Sequence, residues 1–264
     1  MKTRFLGAAI LLPLFVFLYL GSWPLAVLVA VISIIGTREF YKGCESLDIK
    51  PCYAIGYASA ILLFMLNLLR DSISFSYIGL WLFVVTAASL IYGFKVEKRK
   101  LEDVISTAFG AIYVQLLLEF VVLIDQEFGI YKWLIVLIAF GTDIFAYFTG
   151  YFIGKHKLCP TLSPKKTIEG AVGGIVFAIL FTVLFVKFAV PDTAPVICFA
   201  VIGLIVSVMS QFGDLSASAM KRRMGIKDYG NLIPGHGGIL DRFDSIIFAA
   251  PSLYFLLYIT FDII

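Results

Sequence analysis

Residues 195–244 read PVICFAVIGLIVSVMSQFGDLSASAMKRRMGIKDYGNLIPGHGGILDRFD. An apolar run over 195–221 passes without a break into a charge-dense segment, and a second apolar run over 239–262 follows at once. A membrane span needs roughly 20 apolar residues, which both flanks supply. Between Ser218 and Asp244 stand Lys221, Arg222, Arg223, Lys227, Asp228, His236, Asp241, Arg242 and Asp244. Charge gathered between two such flanks needs a chemical reason. Lys and Arg hold anionic oxygens, glycines let backbone approach a ligand closely, and carboxylates hold a hard divalent cation. The combination suits phosphate chemistry at a membrane surface.

Composition agrees with a bilayer setting. Of 264 residues, 61% are hydrophobic and only 15% charged, with a mean hydropathy of +0.98; soluble domains carry about 25% charged residues. Four cysteines (Cys44, Cys52, Cys159, Cys198) lack metal-ligand spacing, and histidine occurs only at 156 and 236. That argues against a zinc site and against a disulfide framework.

Apolar segments at 5–20, 24–41, 52–70, 73–94, 103–125, 130–154, 168–190, 195–221 and 239–262 predict an all-α polytopic membrane protein with about nine transmembrane helices. The first segment follows Lys2 and Arg4 but has no small-residue cleavage site, so it is read as a retained helix. A single integral membrane domain, 1–264, is expected: N-terminal helices over 1–125, and catalytic helices with cytoplasmic active-site loops over 126–264. Alternating sides leaves Arg70, Lys132 and Lys187 on one face and the other eighteen of the 21 Lys and Arg on the opposite face. The positive-inside rule then puts the N-terminus and the 222–238 loop in the cytoplasm, where nucleotides are available.

Several polar groups interrupt the spans. Ser207, Ser210, Asp214, Ser218 and Lys221 fall within a stripe of about 80° on one helix face. Interhelical hydrogen bonding is the plainer reading for the serines. An intramembrane carboxylate costs about 2.5–3.5 kcal/mol on insertion scales, so Asp214 is read as a metal ligand. Asp241, Asp244 and Ser245 share a face at the start of the last span, where helix capping would also explain Asp244. Asp214 and Asp241 offer carboxylates from neighbouring helices with oxygen-only surroundings, which favours Mg2+. In the loop SPKKTIEG, Thr167 is an expected N-cap, and Lys165 and Lys166 beside a helix N-terminus form an anion site. Glu169 is read as a capping residue or a partner to that site. Asp143 shares a face with Ala139, Ala146, Tyr147, Gly150 and Gly154; the glycine pair signals close helix packing, and the buried acid a site. Gln115 and Glu119 are read as bonding a neighbouring helix.

The spacing S-x-M-K-R-x4-K-D-x-G-x2-I-P-x-H-G-G-x2-D-R-x-D over 218–244 resembles the signature of the phosphatidate cytidylyltransferases, the CDP-diacylglycerol synthases. SPKKT (163–167) and D-x-x-A-Y-x-x-G-x-x-x-G from Asp143 resemble further blocks of that family. The resemblance implies condensation of CTP with phosphatidate at the cytoplasmic face of a bacterial inner membrane. It implies catalytic roles for Asp214, Asp241, Lys221, Arg222, His236 and Asp143. Substrate binding falls to Ser163, Lys165, Lys166, Thr167, Ser218, Lys227, Asp228 and Arg242, and Mg2+ to Asp214, Asp241 and Asp244. CTP, phosphatidate and the bilayer are the expected partners, with a homodimer as an open option and no nucleic acid. A CTP-dependent polyprenol kinase and an ion-coupled transporter are the alternatives; the absence of repeats and the one-sided charge argue against the transporter.

Overall fold

The computed structural model describes residues 15–72, 76–191, 195–232 and 237–263. It is almost wholly helical. In chain order come α1 (15–20), α2 (Ser22–Glu45), α3 (Tyr53–Leu68), α4 (Tyr77–Gly93), α5 (Leu101–Gly110) and α6 (Leu117–Phe128). A π turn, Ala111–Leu116, joins α5 to α6. Then follow α7 (Trp133–Ile153), strands β1 (Lys157–Cys159) and β2 (Ser163–Thr167), α8 (Ile168–Ala189), α9 (Val196–Arg223) and α10 (Leu240–Ile263). Among the described residues, five helical stretches are long and apolar enough to cross a membrane: Ser22–Glu45, Leu101–Ile153, Ile168–Ala189, Val196–Arg223 and Leu240–Asp262. The expected spans 52–70 and 73–94 appear as the shorter apolar helices α3 and α4. Those at 103–125 and 130–154 form one continuous helical stretch, stepped at Gly129, whose φ of +56° glycine adopts without strain. Most of the 5–20 segment lies outside the described residues.

The chain divides into two compact units. The first is residues 1–122 with 223–242, and the second is residues 123–222 with 243–264. The boundary falls within the long helical stretch, and residues 223–242 group with the N-terminal helices.

In the first unit, polar side chains tie helices together. The π turn carries Gln115, whose amide donates to Thr37 Oγ1 (3.0 Å) and the Gly56 carbonyl (2.8 Å) while accepting from Ser59 Oγ (2.8 Å). One turn on, Glu119 accepts from Asn67 Nδ2 (2.6 Å) and the Tyr77 hydroxyl (3.1 Å). Both residues therefore bond neighbouring helices, as their shared face suggests. Buried polar groups need such partners in an apolar medium. Trp81, fully buried, donates from its indole to the Ser59 carbonyl (2.8 Å).

In the second unit, α8 shows how small residues decide packing. Gly170, Gly174, Ala178, Thr182 and Val186 recur every fourth residue and are buried. Val172, Val176, Leu180, Leu184 and Phe188, offset by half a turn, are exposed, as a lipid-facing stripe should be. A β-carbon on Gly170 would lie 2.6 Å from the Ala146 carbonyl, and one on Gly174 2.7 Å from that of Thr142. Helices α7 and α8 thus meet nearly backbone to backbone, which only small residues allow.

Candidate active site

The polar side chains of the second unit converge from α7, β2, α9 and α10. The key is Gly213. A β-carbon there would lie 2.5 Å from the Asp244 carbonyl oxygen and 3.4 Å from Ser245 Cα. With hydrogen in its place, α9 approaches α10 closely and sets Asp214 beside Asp244. Asp244 is only 7% exposed. The charged groups acting on it are Asp214, Lys221 and Asp143, and its Oδ1 accepts from the Ser245 amide (2.9 Å). Ser245 Oγ donates to Asp143 Oδ2 (3.4 Å), bringing α7 into the group. Ser218 Oγ donates to Asp214 Oδ1 (3.4 Å), one turn along α9. Deeper on the polar stripe, Ser207 bonds Thr142 (2.8 Å), the helix-bridging role expected for a membrane serine. Ser210 Oγ, one turn below Asp214, is buried without a hydrogen-bond partner.

The cationic contribution comes from β2. SPKKT is a strand, not the open loop its charge suggested, and it pairs antiparallel with β1, Lys157 opposite Thr167 and Cys159 opposite Ser163. Within the strand Lys165 is exposed, while Lys166, partly buried, forms an ion pair with Asp214 Oδ2. Thr167 ends the strand and caps α8, its Oγ1 accepting from the Gly170 amide (3.1 Å). Glu169 fixes the hairpin's entry: its carboxylate accepts from the Lys155 amide (3.1 Å), the His156 amide and His156 Nδ1 (2.6 Å). The hairpin is thus anchored at both ends, and Lys166 is held over the carboxylates.

The first unit carries the rest of the charged segment. Asp241, in the first turn of α10, accepts through Oδ2 from the Tyr229 amide (2.8 Å) and the Gly238 amide (2.9 Å). Lys227 and Asp228 are exposed, as is Arg223 where α9 ends; Arg222, also exposed, is the last α9 residue of the second unit. Asp228 lines a cavity of about 510 Å3 with Arg38, Glu39, Lys42, Tyr229 and Asn231, within the range of small-ligand sites. Arg242 is half-buried, with a buried Nε that has no hydrogen-bond partner. His236 lies outside the described residues, as do Ile233 and Pro234.

The structure therefore brings Asp143, Asp214, Asp244, Lys166, Lys221 and Ser218 together in one unit and sets Asp241, Lys227 and Asp228 in the other. Arg38, Glu39 and Lys42 were missed as site candidates: Arg38 and Lys42 counted only toward the charge asymmetry, and Glu39 was not singled out. A signal existed: Glu39 is an acid set amid the hydrophobic residues of α2.

A sequence profile of the cytidylyltransferase family matches residues 2–260. The chain belongs to the cytidylyltransferase family. Among curated relatives, the phosphatidate cytidylyltransferase of Bacillus subtilis (strain 168) is 35% identical over 268 residues, covering 97% of each chain. That of Staphylococcus aureus (strain COL) is 34% identical over 97% of this chain and 99% of its own. The Thermotoga maritima enzyme of the same name is 31% identical over 96% of this chain and 95% of its own. Family membership with these apolar helices makes the protein an integral-membrane nucleotidyltransferase.

Proposed function

We propose that this cytidylyltransferase condenses CTP with phosphatidate, giving CDP-diacylglycerol and pyrophosphate at the cytoplasmic face of the inner membrane. The observation that carries it is the meeting of Asp143, Asp214, Asp244 and Lys221 on membrane helices with Lys166 on β2. The names of the relatives supply the substrate class. In the reaction, an oxygen of the phosphatidate phosphate attacks the α-phosphorus of CTP. The bond from that phosphorus to the bridging oxygen breaks, and pyrophosphate leaves. A phosphomonoester with a second pKa of about 6 is largely dianionic at neutral pH, so no strong protein base is needed. The obstacle is like-charge repulsion between two phosphate substrates. Lys165, Lys166, Lys221, Arg222 and Arg242 offset it, with Lys166 exchanging its hold on Asp214 for a phosphate oxygen.

The donors in the second unit suit Mg2+: the Asp214 and Asp244 carboxylates offer oxygen only, and the Ser210 hydroxyl is buried without a hydrogen-bond partner. Asp241, the third carboxylate of the proposed set, belongs to the first unit. Mg2+ commonly takes one or two carboxylates and completes its shell with water and substrate phosphate. When bound it would neutralise charge on the transferring phosphate. The protein's own carboxylates set the place of that charge, Asp143 orienting Ser245, and the lysines hold the phosphates in line. The first-unit cavity lined by Arg38, Lys42 and Asp228 is assigned to an anionic ligand such as a nucleotide, for which Arg38 and Lys42 supply the cations.

The test is product analysis with purified protein, labelled CTP, Mg2+ and each of two lipids. Pyrophosphate and a CDP-lipid from phosphatidate support the assignment. CDP and a phosphorylated long-chain alcohol from a polyprenol would overturn it in favour of a lipid kinase.

A further inference from the structure

Glu39 sits on α2, about two hundred residues before the charged loop, and is only 8% exposed. Its two carboxylate oxygens are both spent on that loop. Oε1 accepts from the Ile239 amide (3.0 Å) and Oε2 from the Leu240 amide (2.8 Å). These are N–H groups at the start of α10, where no helical carbonyl is available to them and where negative charge is favoured. Two glycines make room for it. A β-carbon on Gly230 would lie 2.5 Å from Glu39 Oε1, and one on Gly238 would overlap the carboxylate. Asp241 takes the neighbouring amides of Tyr229 and Gly238 through Oδ2. Tyr229 and residues 238–240 are thus held by two carboxylates, one from α10 and one from α2.

We infer that Glu39 is a positioning residue for the reaction: it fixes the first turn of α10 and so aims the Asp241 carboxylate. It does so without meeting the reacting atoms. A glutamate is required because both of its oxygens accept. Glutamine would keep one acceptor and turn an NH2 toward the other backbone N–H, donor against donor. The inference rests on the cytidylyl-transfer reading only for its kinetic arm.

Two measurements test it on full-length protein in lipid nanodiscs. In the first, Glu39→Gln is compared with wild type by amide hydrogen exchange. Exchange at the 238–240 amides should speed up by about tenfold or more, while peptides from 196–222 keep their rates. Unchanged exchange at 238–240 would overturn the inference whatever the enzyme's substrate proves to be, since this arm needs none. In the second, kcat should fall by about tenfold or more, with KM for phosphatidate moving less than about threefold, because misplacement acts on the reacting geometry. Gly238→Ala should also lower kcat by driving Glu39 aside, and Glu39→Ala/Gly238→Ala should be no worse than Glu39→Ala alone. Losses that multiply would show two independent defects and refute the linkage. Should Glu39→Gln fail to accumulate in membranes, Glu39→Asp, charged but shorter, is read by the same two measurements.

Discussion

Replacing Gly213 with alanine tests whether the carboxylates must be held together by the approach of α9 to α10. The added β-carbon would start 2.5 Å from the Asp244 carbonyl oxygen. Comfortable non-bonded separations between heavy atoms are about 3.5 Å, so the two helices must part by roughly 1 Å. Overpacking of this kind costs about 1–3 kcal/mol of stability, which a membrane protein of this size survives. The effect on rate is larger, since a misplacement of about 1 Å in an active site costs on the order of a hundredfold. Gly213→Ala should therefore insert and fold while losing about a hundredfold in kcat for CDP-lipid formation. Gly203→Ala is the matched control. Its β-carbon would lie 2.9 Å from Ile179 Cα and 3.1 Å from the Ala178 carbonyl, a similar insult on the same helix. It lies ten residues from Gly213, on the stretch of α9 that packs on α8, and should lower thermal stability while keeping most of the turnover. Initial rates with radiolabelled CTP, normalised to folded protein by size-exclusion chromatography, give the comparison. If Gly213→Ala keeps more than half of wild-type kcat, or Gly203→Ala falls as far, the close approach is not what assembles the site.

Asp214→Asn and Asp241→Asn should each lower turnover by about a thousandfold, the scale of removing one electrostatic stabiliser, without reducing the amount in the membrane. Near wild-type Mg2+-dependent activity in either would remove that residue from the proposed metal set. Lys166→Ala should raise the apparent KM for CTP more than that for phosphatidate, because the β2 lysine at a helix N-terminus is assigned to the triphosphate. An effect confined to phosphatidate in varied-substrate kinetics would reassign it to the lipid head group. Activity should hold at neutral pH and fall below about pH 6, as protonation of the phosphatidate phosphate removes the nucleophilic dianion. A pH–rate profile that stays flat to pH 5 would contradict that step.

Hydropathy by itself determined that this is a helical membrane protein, because burial in lipid is a demand each segment of 20 or so residues meets locally. Thr167 as a cap was legible for the same reason: its bond to Gly170 spans three residues. The small-residue face of α7 and the bonding face of Gln115 and Glu119 were legible as faces, since helical periodicity orders them. Which partner each face meets was not. Asp244 could be explained by its own helix as a capping acid, yet its neighbours Asp143 and Asp214 come from two other helices. SPKKT, too short and too charged to signal a strand, becomes one only because Lys157–Cys159 lies alongside it. Glu39 belongs to no motif; only the folded chain brings Ile239 and Leu240 to its carboxylate. Periodicity records what a residue needs from its surroundings. Tertiary packing chooses who supplies it, through backbone approaches such as that at Gly213 whose distance no local pattern encodes.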